Sequence, residues 1–204
     1  CVATFAVGSG VCSIAWNPDG KSFLAGSKSG KLHCWSLDSD SDSDQKKTVK
    51  LEELSHREAL DCIKFVGENR VLTKSVDGRI FLSELGFSHT HTHTHTLKVL
   101  REWKVQGGYR CISNVDVTRD GRYFVCGNAE GAVHVFETEK GGEVVAKLEP
   151  YKVSRPVEAC AISDNYKDVL STLGESFLFR YRHFTPKQKK TTNEEKEEKD
   201  KDSQ

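Results

Sequence analysis

The chain has 204 residues, of which 36% are hydrophobic. It is therefore the size of about one domain, and it can build a core only if long segments stay outside it. Its 30 basic and 30 acidic residues cancel, so the overall charge favours neither direct nucleic-acid binding nor an anionic membrane surface. The seven cysteines lack Cys-x-x-Cys spacing and fall mostly in apolar runs, which is typical of buried thiols in an intracellular protein.

The first repeating unit lies between residues 11 and 37. Alternating apolar and polar residues are broken there by the turns Asn17-Pro-Asp-Gly20 and Ser29-Gly30. This pattern predicts short antiparallel strands at 11–16, 22–25 and 31–37.

The same order of runs and turns returns three times, at 60–85, 111–136 and 157–181. A further strand-like run precedes each of the four units, at 1–7, 49–54, 98–105 and 143–148. The glycines of the second turns, Gly30, Gly78, Gly131 and Gly174, are 48, 53 and 43 positions apart. A period of about 40 to 45 residues with four strands per unit indicates the blades of a β-propeller. We therefore predict an all-β fold with about four blades.

Two insertions explain the longer intervals. A Ser/Asp tract occupies the insertion at 38–47, and a His-Thr tract occupies the insertion at 87–97. Both follow the last strand of a unit, where a propeller has surface loops. Since the residues after 184 are almost all charged or polar, we predict blades over 1–184 and a charged, disordered tail over 185–204.

The His-Thr tract also raises the question of metal binding, because His89, His91, His93 and His95 carry imidazoles that suit zinc, copper or nickel. A simple dipeptide repeat without a carboxylate or thiol companion is more typical of a low-complexity loop. We predict no metal site and no cofactor, with a metal-buffering protein as the alternative. Neither a paired nucleophile and base nor a phosphate-binding loop is visible, so we predict that the chain is not an enzyme.

The segments Gly30-Lys-Leu-His-Cys-Trp35 and Gly131-Ala-Val-His-Val-Phe136 resemble WD repeats, and His56 matches the histidine of that motif. The resemblance covers 1 to about 184. Members of this family mostly have seven blades, so the resemblance implies that the chain is a fragment carrying about four of a probable seven.

Scattered phrases resemble the later blades of one WD-repeat family, that of extra sex combs and embryonic ectoderm development. They include Cys1-Val-Ala-Thr-Phe5, His56-Arg57 ahead of 60–65, and Ser176-Phe-Leu-Phe-Arg180-Tyr181. That family is the non-catalytic propeller subunit of the Polycomb complex that methylates histone H3. The resemblance implies a nuclear scaffold whose partners are the catalytic methyltransferase subunit and the other subunits of that complex, with histone tail peptides as a further candidate partner. The alternatives are an origin-recognition-associated propeller and a ubiquitin-ligase substrate receptor.

In that family the channel mouth holds an aromatic cage for trimethylated lysine, and part of the cage aligns with Ser113 and Asn114. This sequence departs from the family there, because neither residue has an aromatic face. Asp61, Asp116 and Glu158 fall near the starts of the same set of strands. We therefore hypothesise that these five residues form a channel mouth that binds a basic peptide. The alternative is that the acids cap turns or are solvated.

Overall fold

The computed structural model describes residues 4–36, 48–49, 56–87, 95–105, 113–141, 143–150, 154–174 and 177–182. These residues form fifteen β-strands in four antiparallel sheets, and within them no helix is long and apolar enough to cross a membrane. The predicted all-β class and its blade-like sheets are confirmed. The predicted tail lies outside the described residues.

Each sheet is built in chain order, so that neighbouring strands are joined by short turns. Blade 1 contains β1 (Val11–Trp16), β2 (Ser22–Ser27), β3 (Leu32–Ser36) and β4 (Thr48–Val49). Blade 2 contains β5 (Leu60–Val66), β6 (Arg70–Ser75), β7 (Arg79–Phe87) and β8 (His95–Lys104).

The third and fourth sheets repeat this plan. Blade 3 contains β9 (Val115–Val117), β10 (Tyr123–Gly127), β11 (Val133–Glu137) and β12 (Val144–Leu148). Blade 4 contains β13 (Val157–Ile162), β14 (Asp168–Leu173) and β15 (Phe177–Arg182). The first strands of consecutive blades lie beside one another, in the order β1, β5, β9, β13. This is the arrangement of the inner strands of a propeller.

The strand-like run that precedes each unit in sequence belongs to the preceding sheet. β4, β8 and β12 pair with β3, β7 and β11 respectively. Both insertions therefore fall between the third and fourth strands of a sheet, not after its last strand. The described part of the first run, residues 4–7, is not a strand.

The second insertion is shorter than predicted. Phe87 pairs with His95, and Gly86 pairs with Thr96, so β7 and β8 extend into the range 87–97 from both sides. Residues 88–94 lie outside the described residues, as does all of the first insertion, 38–47. Strand pairing continues into the His-Thr tract, because backbone hydrogen bonds between strands need no particular side chain.

The hydrophobic core is divided into three clusters, each shared by two consecutive blades. We call the side of a blade that packs on the next blade its forward face, and the opposite side its backward face. For example, Leu24 and Leu32 on the forward face of blade 1 pack with Leu60 and Ile63 on the backward face of blade 2. The second cluster joins blades 2 and 3, and the third joins blades 3 and 4. Every blade is therefore stabilised by its neighbours as well as by its own pairing.

One kind of hydrogen bond recurs at all three junctions between blades. A side chain at the start of one first strand accepts a bond from a backbone N–H of the next first strand. We call these side chains the junction acceptors. They are Ser13, which binds Ile63 N at 3.1 Å, Cys62, which binds Val115 N at 3.2 Å, and Asn114, which binds Cys160 N at 2.8 Å. The three acceptors occupy equivalent positions, because each comes directly before the equivalent residues Ile14, Ile63 and Val115 of the three ladders.

The turn at Gly30 shows why a glycine is needed close to the next blade. Gly30 has φ +76°, and a Cβ added there would lie 2.1 Å from the carbonyl oxygen of His56. The carbonyl of Gly30 in turn accepts a hydrogen bond from His56 N at 3.1 Å. Only a residue without a side chain fits both the left-handed backbone and this contact.

Candidate functional site

Two of the predicted peptide-binding residues lie at the same irregularity of the first strand. The register of β5 with β6 shifts between Leu60 and Cys62, and that of β13 with β14 shifts between Val157 and Ala159. Asp61 and Glu158 are the residues at these bulges, and Cys12 has the same place in blade 1. Bulges redirect side chains and are frequent next to functional sites. The start of the first strands is therefore the candidate site.

Asp61 is engaged within its own blade. Its Oδ2 lies 2.7 Å from Nζ of Lys74, a side chain that is fully buried in β6. Burial raises the pKa of the Asp61 carboxyl, and the Lys74 ammonium opposes that rise. Its second oxygen, Oδ1, is buried without a hydrogen-bond partner among the described residues. Asp61 could bind a basic peptide only if its carboxylate were open to the ligand. The carboxylate is instead paired with Lys74.

Ser113 and Asn114 serve the junction between blades 3 and 4. The Asn114 amide group accepts from Cys160 N at 2.8 Å and donates to Cys160 O at 3.0 Å. Ser113 is buried, and its Oγ accepts a hydrogen bond from Gly127 N at 3.2 Å. Both side chains satisfy backbone groups that would otherwise be buried without partners.

Asp116 is bound on both sides. Its Oδ2 accepts a hydrogen bond from Ile162 N at 3.0 Å, and its Oδ1 lies 3.7 Å from Lys64 Nζ. The carboxylate thus links blade 3 to blade 4 by a hydrogen bond and to blade 2 by an ion pair. This is a structural contact, and the lysine already supplies the positive charge that a ligand would bring.

Glu158 differs from the other four predicted site residues. It is exposed, and it makes no hydrogen bond or ion pair with any residue that the structure describes. Of the five side chains, Glu158 is the one that is both exposed and available to a ligand.

Lys74 is a site residue that the sequence reasoning missed. It stands opposite Cys62 in the ladder, where blade 1 has Gly26 opposite Ser13. The sequence did hold a signal for it, because a lysine stands there at a strand position where blade 1 has a glycine. A charged side chain is buried within a strand only when it is paired. Its partner is Asp61, at the bulge of the neighbouring strand β5.

His56 has the place that the WD-repeat resemblance implies for it. Its Nε2 lies 2.9 Å from Thr73 Oγ1, and its ring centre is 4.5 Å from that of Phe81. Burial lowers the pKa of His56 to about 4, although the Asp77 carboxylate acts in the opposite direction. The imidazole is therefore neutral at physiological pH and packs as part of the junction between blades 1 and 2.

The described residues offer little for catalysis. Burial raises the pKa of the Cys34 thiol to about 11 and that of Cys160 to about 12, so both thiols are protonated and poor nucleophiles at neutral pH. In this part of the chain no three His, Cys, Asp or Glu side chains are grouped to hold a metal ion. His89, His91 and His93 lie outside the described residues, and His95 begins β8.

The four sheets and their junctions have the arrangement of consecutive β-propeller blades. Residues 1–36, which include the first three strands of blade 1, match the family model described as "WD domain, G-beta repeat". No curated protein matches the chain. WD repeats are typical of protein-interaction scaffolds that do no chemistry themselves, and the match does not distinguish one WD-repeat family from another.

The stability of the protein should depend on pH through His56. Its pKa is 6.5 as an ordinary histidine and about 4 in the fold, so between these values only the unfolded state binds the proton. The free energy of unfolding should therefore fall as the pH falls through about 6.5. Between about pH 7.5 and about 5.5, urea unfolding should show that the wild type loses about 1 kcal/mol more than His56→Asn, which cannot titrate.

His33 and His134 also have lowered pKa values because of burial. Both are present in the wild type and in the variant, so their titration cancels from the comparison. An equal loss of stability in the two proteins would contradict a neutral, buried His56.

Proposed function

We propose that this chain is a non-catalytic scaffold that docks a basic peptide at the start of its first strands, within a Polycomb-type histone methyltransferase complex in the nucleus. The scaffold role is supported by the WD-repeat match at residues 1–36. The Polycomb role is supported by the sequence phrases that resemble the extra sex combs family. The methyltransferase itself is a different polypeptide in this proposal.

The observation that carries the docking role is the junction network. Four consecutive first strands are joined by three side-chain acceptors, and Asp116 adds a second bond at the third junction. These bonds lie next to the bulges of β5 and β13, so they constrain the backbone that carries the bulge residues. A rigid surface lowers the entropy cost of binding a peptide.

Glu158 is the group that supplies charge recognition. An exposed carboxylate attracts a lysine or arginine side chain without the large desolvation cost of a buried ion pair. The aromatic cage is not part of this proposal, since Ser113 and Asn114 hold backbone groups and carry no aromatic ring.

Glu158→Gln should weaken the binding of an unmodified histone H3 tail peptide, measured by fluorescence anisotropy. An exposed ion pair contributes about 0.2–1 kcal/mol, so we expect an affinity loss of up to about fivefold, and a smaller loss at high salt. Asp61→Ala is unsuitable as a test, because it would leave the buried Lys74 ammonium without its carboxylate and destabilise the fold.

Glu68→Gln is the matched control. Glu68 is also exposed, but it lies in the turn after β5, at the opposite end of the blades. Equal effects of the two variants would mean that the peptide responds to net charge, and no effect of Glu158→Gln would rule out docking at this site.

The complex itself is tested by affinity purification of the tagged protein from nuclei, followed by mass spectrometry. We expect a SET-domain methyltransferase among the recovered proteins. Recovery of origin-recognition proteins or of a cullin adaptor in its place would assign the scaffold to one of those assemblies and contradict the Polycomb proposal.

A further inference from the structure

Three turns of the chain contain an aspartate followed by a glycine. They are Asp19-Gly20 between β1 and β2, Asp77-Gly78 between β6 and β7, and Asp120-Gly121 between β9 and β10. The three glycines have φ angles of +69°, +81° and +71°. An aspartate followed by a glycine can rearrange without an enzyme, because glycine has no Cβ to hinder the approach of its own backbone N to the aspartate side chain.

The rearrangement needs no reagent other than water. The glycine N forms a bond to Cγ of the aspartate, and one carboxylate oxygen leaves as water with a proton from the glycine N–H and a proton from solvent. The product is a five-membered succinimide ring. Water then opens the ring at one of its two carbonyls. Opening at the side-chain carbonyl restores aspartate, whereas opening at the backbone carbonyl gives isoaspartate, whose main chain is longer by one methylene group.

Two hydrogen bonds of the folded turn oppose this reaction at all three places. The glycine N–H donates to the carbonyl three positions earlier, at 2.9, 3.0 and 2.8 Å in chain order. One aspartate oxygen accepts from the backbone N–H two positions later, at 2.8, 3.0 and 3.0 Å. Since both bonds are common to the three turns, they do not decide which turn reacts.

Further partners of the carboxylate distinguish the turns. Asp77 faces the guanidinium of Arg79, whose Nε lies 3.5 Å from Oδ2. Asp120 accepts hydrogen bonds from Thr118 Oγ1 at 2.7 Å and from the hydroxyl of Tyr166. These additional contacts must also break before either carboxylate can turn toward the glycine N.

Asp19 lacks contacts of this additional kind within the part of the chain that the structure describes. Its exposed carboxylate accepts the bond from Lys21 N and makes no ion pair or side-chain hydrogen bond there. The partners of Asp120 come from its own turn and from the blade that follows. The corresponding neighbours of Asp19, residues 17–21 and the turn at 67–69 of blade 2, are also described. Asp19 is therefore the least restrained of the three carboxylates.

From this difference we propose that Asp19 is a site of spontaneous isomerisation to isoaspartate, and that Asp77 and Asp120 are held back by their additional partners. The product carries an extra methylene group in the turn beside the end of the β1–β2 ladder, where Trp16 pairs with Phe23. The modification therefore alters this hairpin of blade 1 as the protein ages. The inference does not rest on the proposed function.

Ageing the full chain in water labelled with heavy oxygen tests the proposal, because each ring opening places one labelled oxygen on the reacting residue. The protein is kept folded at neutral pH and physiological temperature and is then digested in ordinary water. Mass spectrometry locates the label, and isoaspartate is recognised as a second chromatographic peak of the same peptide. Asp19 should take up label at least about tenfold faster than Asp77 and Asp120, since one charge-assisted hydrogen bond that must break slows a reaction by about that factor.

Two controls separate the effect of the fold from that of the sequence. In urea the unfolded chain has the same three pairs without their partners, so all three aspartates should take up label at similar rates. Tyr166→Phe removes the hydroxyl from Asp120 but keeps the ring, which lies 5.3 Å from that of Tyr123. Label at Asp120 should rise by up to about tenfold in this variant, and the matched variant Tyr181→Phe in the same blade should leave it unchanged.

Equal labelling of the three aspartates in the folded protein would overturn the proposal. An unlabelled Asp19, under conditions in which the unfolded chain is labelled, would overturn it as well. An unchanged rate at Asp120 in Tyr166→Phe would mean that hydrogen bonds do not hold the carboxylate back, which also contradicts the proposal. If Tyr166→Phe fails to fold, the ranking of the three turns in the wild type decides the question by itself.

Discussion

The hydrogen bond between a first-strand side chain and the next first strand is the constraint on which the rest of the structure depends. Apolar packing between blades is strong but non-directional, so it does not fix which residues stand side by side. The bonds from Ile63, Val115 and Cys160 to the junction acceptors are directional and do fix this register. Ser, Cys and Asn fill the same role because each has a short side chain ending in an acceptor. Glu158 precedes Cys160 by two positions, so the bond from Cys160 N to Asn114 lies close to it.

Local features of the fold could be predicted from the sequence. The runs at 11–16 and 157–162 are β1 and β13, because alternation and turn glycines act within a few residues. The grouping of strands into sheets was harder to predict, since the run at 143–148 is adjacent in sequence to blade 4 but pairs with β11 of blade 3. Backbone pairing partners are not encoded by residue type. The boundary of the second insertion was misplaced for the same reason.

The candidate site illustrates a further limit. Its positions could be predicted, because Asp61 and Glu158 fall at equivalent points of the repeat, but the partners of each side chain could not. A polar residue near a channel has the same sequence signature whether it binds a ligand or satisfies a buried amide. Asn114 and Asp116 do the latter, and only the neighbouring strand β13 shows it. Lys74 was missed because its burial depends on Asp61, thirteen positions away in the sequence.

Native-state hydrogen exchange measured by nuclear magnetic resonance tests the central claim most directly. The amides of Ile63, Val115 and Cys160 should exchange much more slowly than that of Ile14, which has the same place in blade 1 without a preceding blade among the described residues. In Asn114→Ala, protection should be lost at Cys160 and kept at Ile63. If Cys160 keeps its protection in that variant, or if all four amides exchange alike in the wild type, the junction acceptors do not hold the blades together.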